Sequence, residues 1–103
     1  MAEEQEQAQL SDEELRERLE SELKKVKVAD VLVQTVFSVS SLGYRSLGEE
    51  SRDLDQAKLA IDALRALVPL LHGAIADEVY RDFEQMVANM QLAYAKAATG
   101  AAP

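Results

Sequence analysis

The most apolar run of the chain is residues 28–42 (VADVLVQTVFSVSSL), where Asp30 is the single ionised residue. On a helix, the apolar side chains of this stretch spread over an arc of roughly 240°. The polar side chains share the remaining wedge, and they are Asp30, Gln34, Ser38 and Ser41. So wide an apolar arc needs more than one neighbouring element to cover it. The stretch therefore predicts the inner helix of a helical domain.

A β-strand is the competing interpretation of this stretch. Its alternating apolar residues are Val31, Val33, Phe37 and Val39. Leu32 and Val36 interrupt that alternation, whereas the polar wedge is continuous on a helix, which favours the helix. The stretch has 15 residues, fewer than the roughly 20 that a membrane-spanning helix needs, so no membrane contact is expected.

Helix start and stop signals predict an all-α fold, a three- to four-helix bundle in a single domain of residues 11–98. Ser11 and Glu14 have the spacing of a capping box, and Asp53 is a predicted N-cap. Gly43 and Gly73 predict helix ends. The predicted helices are residues 11–26, 29–42, 54–72 and 75–98. Residues 1–10 are predicted to be a disordered acidic tail and residues 99–103 a frayed tail.

No Gly or Pro separates the first two predicted helices, so the phase of their apolar faces is the available guide. The first helix carries a narrow apolar stripe of Leu15, Leu19, Leu23 and Val26. On one continuous helix this stripe would point about 115° away from the later apolar arc. We expect a break between Val26 and Asp30, with Asp30 as N-cap; one long unbroken helix is the alternative. The stripe suits either a surface helix or a partner-binding arm.

Heptad-like spacing identifies the candidate core and interface residues of the later helices. These candidates are Leu32, Val36, Phe37, Val39, Ile61, Leu64, Val68, Val79, Phe83, Met86 and Met90. On the third helix, charged residues share an exposed face, and Asp62 is spaced to pair with Lys58 and Arg65.

Three groups of residues resemble a bacterial family of small proteins, the domain-of-unknown-function family numbered 1844. The groups are Leu42-Gly43 after the apolar helix; Asp53-Leu54, Ala57, Ile61-Asp62, Leu64 and Leu67; and Gly73, Ile75 and Asp77-Glu78. The likeness covers residues 28–98, and the turn at residues 69–72 departs from the family's pattern. The resemblance implies an α-helical bacterial cytosolic protein and brings no known activity or site.

Residue types needed for common catalytic and cofactor chemistry are scarce. The four glycines are isolated, so no nucleotide-binding fingerprint exists. His72 is the single histidine and cysteine is absent, so no metal or cofactor is expected, and neither is a catalytic residue. The net charge is −8 and no segment is basic, which argues against direct nucleic-acid binding.

These observations favour a non-enzymatic helical protein that self-associates, with a dimer favoured, or that binds a helical protein partner. Self-association or partner binding is expected because the second and third predicted helices have apolar arcs too broad for one contact. A nucleic-acid- or translation-associated accessory factor that acts through a protein partner is the alternative, and a carboxylate-dependent enzyme is a minor one. The absence of cysteine fits a reducing compartment, and a cytoplasmic location is expected.

Overall fold

The computed structural model describes residues 11–100, which form four α-helices and one 3₁₀ turn. The helices are α1 (Asp12–Lys25), α2 (Val28–Leu47), α3 (Leu54–Leu67) and α4 (Asp77–Ala98), and the 3₁₀ turn is Val68–Leu71. No β-strand occurs within residues 11–100, so the all-α prediction is confirmed. The predicted tail of residues 1–10 and the last three residues of the predicted frayed tail lie outside the described residues.

Helices α2, α3 and α4 form an up-down-up bundle around one hydrophobic core. The loop of residues 48–53 folds α3 back along α2, and α4 then packs across both. Eight residues make up the buried cluster: Val36, Ile61, Leu64, Val68, Leu71, Phe83, Val87 and Met90. All three helices contribute side chains to this core, as does the 3₁₀ turn, so no two of them form it alone.

The chain breaks between α1 and α2 at Val26 and Lys27, which are both extended. The two helices are bent by 74° relative to each other, so the alternative of one unbroken helix is not adopted. The break lies in the interval that the phase of the apolar faces predicted. The predicted N-cap was wrong, because Lys27 occupies that position. Asp30 lies in the first turn of α2 instead, where the helix dipole stabilises its negative charge.

The predicted end of the inner helix at Gly43 was also wrong, because α2 continues to Leu47. Gly43 is buried where α2 packs against Ala60 of α3 and Met90 of α4. A Cβ atom at Gly43 would lie 2.9 Å from the Cβ of Ala60 and would collide with the Met90 side chain. The glycine therefore permits close helix packing, which offsets its weak helix propensity of about 1 kcal/mol.

Three other helix ends are capped by side-chain hydrogen bonds. Ser11 accepts a hydrogen bond from the backbone N–H of Glu14 at 3.1 Å, and Asp53 accepts one from Gln56 at 3.2 Å. The Arg52 guanidinium donates to the carbonyl of Leu47 at 2.9 Å and closes the end of α2. These contacts satisfy backbone groups that helix termini leave free.

None of the helices within residues 11–100 is by itself long and apolar enough to cross a membrane. Helices α1 and α2 reach the required length and composition only when they are counted together across their 74° bend.

Replacing Val36 with Asp is expected to abolish the folded state, because the Val36 side chain is fully buried in the core. A carboxylate there has no partner and must either ionise in an apolar site or be protonated. Circular dichroism should show loss of cooperative thermal unfolding. Gln34→Asp introduces the same charge at an exposed position of α2 and should melt like the wild type, and wild-type melting of Val36→Asp would contradict the inner-helix assignment.

Gly43→Ala should destabilise the bundle by about 1–3 kcal/mol through overpacking, although alanine is the better helix former. Denaturant unfolding of Gly43→Ala, Ala60→Gly and the double variant measures the coupling between the two positions. Because the added methyl group meets Ala60, the double variant should be more stable than the sum of the single effects predicts. Purely additive effects would show that the two helices do not meet at this pair.

Candidate interaction surfaces

The structure buries six of the candidate core and interface residues with 5% exposure or less. These six are Val36, Ile61, Leu64, Val68, Phe83 and Met90. Three more pack against the core while partly exposed: Leu32, Val39 and Met86. The spacing of apolar residues was therefore a good guide to which side chains face the bundle interior.

Phe37 and Val79 are the two candidates that remain exposed, with 55% and 38% of their surface accessible. Phe37 lies at the edge of the bundle, where its ring packs against the buried ring of Phe83 at a centroid distance of 5.5 Å in an edge-to-face arrangement. Val79 lies in the first turns of α4, beyond the core. The structure therefore places neither of them in the core of this chain.

An apolar groove, the α2–α3 groove, lies between those helices on the side away from α4. Its lining residues are Val39, Leu42, Ser46, Gln56, Leu59, Ala60 and Ala63. None of the seven is charged, although charged residues make up 29% of the chain. Leu42 and Leu59 stand on opposite walls with 63% and 62% of their surface exposed.

The apolar surface continues along α2 beyond the groove. Positions 28, 31, 35, 39, 42 and 46 fall on one side of this helix, and they hold Val, Val, Thr, Val, Leu and Ser. Phe37 and Tyr44 lie on the other side, where Tyr44 donates to the Met86 carbonyl at 3.5 Å and Phe37 meets α4. Helix α2 therefore has two apolar sides, of which residues 11–100 cover one.

Most groove residues were missing from the candidate set. Val39 was included, whereas Leu42 and Leu59 were not, because they fall outside the main heptad-like stripes. The available signal was the breadth of the apolar arcs. An arc wider than one neighbour can cover indicates a second contact surface, but it does not say which of its residues stay exposed.

Helix α1 is the second apolar surface without a neighbour. None of its residues is buried, and no other helix within residues 11–100 packs against it. The residues of its stripe are exposed to 39% at Leu15, 64% at Leu19 and 69% at Leu23. A helix of 14 residues is marginally stable in water without tertiary contacts, so an external surface on this stripe would stabilise it.

The described part of the chain contains no cluster of metal ligands. No group of three or more histidine, aspartate or glutamate side chains there could hold a metal ion. The His72 ring packs edge-to-face against the Tyr80 ring with a centroid distance of 4.9 Å, so packing explains the position of this histidine. The predicted ion pairs of Asp62 with Lys58 and Arg65 were wrong. Within residues 11–100 the single ion pair is Lys25–Glu22, at 3.3 Å on α1.

A shallow depression at the junction of α1 and α2 brings two carboxylates to one surface. Glu22 and Asp30 both line it, together with Lys25, Val26, Val31 and Gln34. Glu22 is paired with Lys25 and the pair is well exposed, so this depression provides a solvated ion pair. It has neither the enclosure nor the desolvated carboxylate of a typical acid–base site.

Comparison of the chain with protein-family models, with curated proteins and with solved structures gave no match. The features of residues 11–100 that bear most on function are two apolar surfaces, the α2–α3 groove and the α1 stripe.

Proposed function

We propose that this chain is a non-enzymatic helical protein that self-associates through the α2–α3 groove, with a second copy of the chain as the occupant. The supporting observation is the groove itself, an apolar and uncharged surface on an otherwise highly charged bundle. Its volume is about 180 Å³, below the roughly 300 Å³ at which small-molecule pockets begin. Leucine side chains from another helix suit a groove of this size better than a metabolite does.

The distribution of charge favours a second copy at this surface. Two chains that each carry −8 repel each other unless they meet where charge is absent. Residues 28–48 hold one acidic and one basic residue, Asp30 and Arg45, and neither of them lines the groove. Two copies related by a two-fold axis would place these uncharged surfaces against each other.

The available area is more than half of what a standard interface buries. Helix α2 has 20 residues and is about 30 Å long, helix α3 has 14 residues and is about 21 Å long, and each helix is about 10 Å wide. The face that contains the groove therefore covers roughly 500 Å² in each copy, against about 800 Å² per partner in a standard interface. Four packed helices, α2 and α3 from each copy, would then surround a second core.

We also propose a cytoplasmic location and membership in the domain-of-unknown-function family numbered 1844. The absence of cysteine supports the location, because disulfides are characteristic of oxidising compartments. The family likeness rests on three groups of residues within residues 28–98 and adds no site of its own.

The test is to replace Leu59 with Lys and to measure mass by light scattering. Wild-type protein should show about twice the 11.4 kDa chain mass at micromolar concentration, and Leu59→Lys should show the chain mass, because a charge in the groove would be buried on association. Leu92→Lys is the matched control, since Leu92 is also 62% exposed but lies on α4 away from the groove.

Circular dichroism of both variants should show the wild-type helix content, because neither side chain belongs to the core. A wild-type protein that stays monomeric at micromolar concentration, or a Leu59→Lys protein with the wild-type mass, would contradict self-association through the groove.

A further inference from the structure

We infer that the α1 stripe pairs antiparallel with the α1 stripe of a second copy, about a two-fold axis that passes beside Leu19. This inference rests on the proposed function in one respect, because both make a second copy of the chain the partner. The surface is different, and its supporting observation is the order of charges along α1.

Leucines are placed symmetrically about Leu19. Leu15 and Leu23 lie four residues before and after it, and all three are exposed on the same side of α1. In an antiparallel pair centred on Leu19, each Leu15 therefore faces the partner subunit's Leu23. The two Leu19 side chains meet on the axis, which gives a continuous leucine seam.

Eight of the ten charges of α1 are antisymmetric about the same residue. Four pairs of residues equidistant from Leu19 have opposite sign: Arg18 and Glu20, Arg16 and Glu22, Glu14 and Lys24, and Glu13 and Lys25. No equidistant pair within residues 12–26 has the same sign. In an antiparallel pair centred on Leu19, these acidic residues of one helix therefore lie at the same height along the axis as basic residues of the other. This arrangement favours both this partner and this orientation.

Other arrangements of the leucine stripe lose this match. A parallel pair in register sets every charged residue level with its own copy. An antiparallel pair shifted to align Leu15 with Leu19 sets Arg16 level with Arg18. It also sets Glu14 level with Glu20 and Asp12 level with Glu22. Like charges at neighbouring levels disfavour these alternatives.

Residues that flank the stripe are placed to form the contacts. By helical position, Arg16 and Glu20 lie on one flank of the stripe, and Arg18 and Glu22 lie on the other. In the proposed pair, Arg16 is about 3 Å along the axis from the partner subunit's Glu20, because two residues of helix separate their levels. Long arginine side chains can span that offset while their stems cover the leucines.

The area of one face of α1 limits the strength of this contact. Helix α1 has 14 residues and is about 21 Å long, so one face of it covers roughly 200 Å² in each copy. That is too small for a stable dimer alone, and the pair therefore acts with a second contact between the same chains. Val26 and Lys27 are the two extended residues that set the direction of α1, so rotation there can bring the stripe to its partner.

Disulfide crosslinking tests the orientation, and the natural chain is free of cysteine. Leu15→Cys and Leu23→Cys proteins are prepared separately, one of them with a terminal mass tag, and are oxidised alone and mixed at equal concentration. The mixture should give the mixed disulfide dimer at several times the yield of either protein alone. In the antiparallel pair, two copies of Cys at position 15 are about 12 Å apart along the axis, beyond the reach of a disulfide.

Glu17→Cys is the control, because Glu17 lies on the side of α1 opposite the stripe, and it should give only the low yield of random collision. Efficient crosslinking of each protein with itself, without excess of the mixed dimer, would indicate parallel pairing and overturn the inference. Mixed yields equal to the Glu17→Cys yield would overturn it as well.

Failure here is distinguishable from failure of the proposed function. Collision-level crosslinking together with a dimer mass that Leu59→Lys abolishes would leave the groove contact standing and reject α1 pairing. Specific mixed crosslinking together with a mass that Leu59→Lys does not change would support α1 pairing and reject the groove contact.

Discussion

The approach of α2 to α3 and α4 at Gly43 is the contact on which the bundle depends. Helices with ordinary side chains at this crossing would be held apart, because even a methyl group at Gly43 would meet Ala60 and Met90. The close approach lets Val36, Leu64 and Met90 be fully buried in a chain with few aromatic residues. Small residues at the crossing thus allow dense packing without large side chains, and a bundle of three short helices can form one continuous core.

The same contact determines which surfaces stay open. With α4 packed on one side of the α2–α3 hairpin, the other side keeps Val39, Leu42 and Leu59 partly or largely exposed. A fourth helix could have covered that side, but α1 leaves the bundle at the bend of Val26 and Lys27 and packs on no other described helix. The described residues therefore contain as many helices as a four-helix bundle, while only three of these helices share the core.

Local signals in the sequence predicted the parts of the fold that depend on local interactions. Ser11 and Asp53 cap their helices because their side chains accept hydrogen bonds from backbone groups three residues later. The same reasoning was wrong at Gly43, because a glycine after an apolar run is typical of a helix end. The role of this glycine depends on packing against Ala60 and Met90, which are distant in the sequence. Exposure of Phe37 could not be predicted for the same reason, because its helical position suits the core and the placement of α4 leaves it at the edge.

Charge and apolar surface are separated along this chain. Residues 28–48 carry a net charge of zero and form the helix with two apolar sides, whereas residues 1–27 carry nine acidic and five basic residues. Within α1, eight of the ten charged residues form pairs of opposite sign equidistant from Leu19, and the acidic first turn and basic last turn also suit the dipole of a single helix. In the proposed two-fold pair, opposite signs would meet at equal heights along the axis and would favour this partner and this orientation. The uncharged groove would then supply apolar area and α1 would supply specificity, over roughly the area per copy that a standard interface buries.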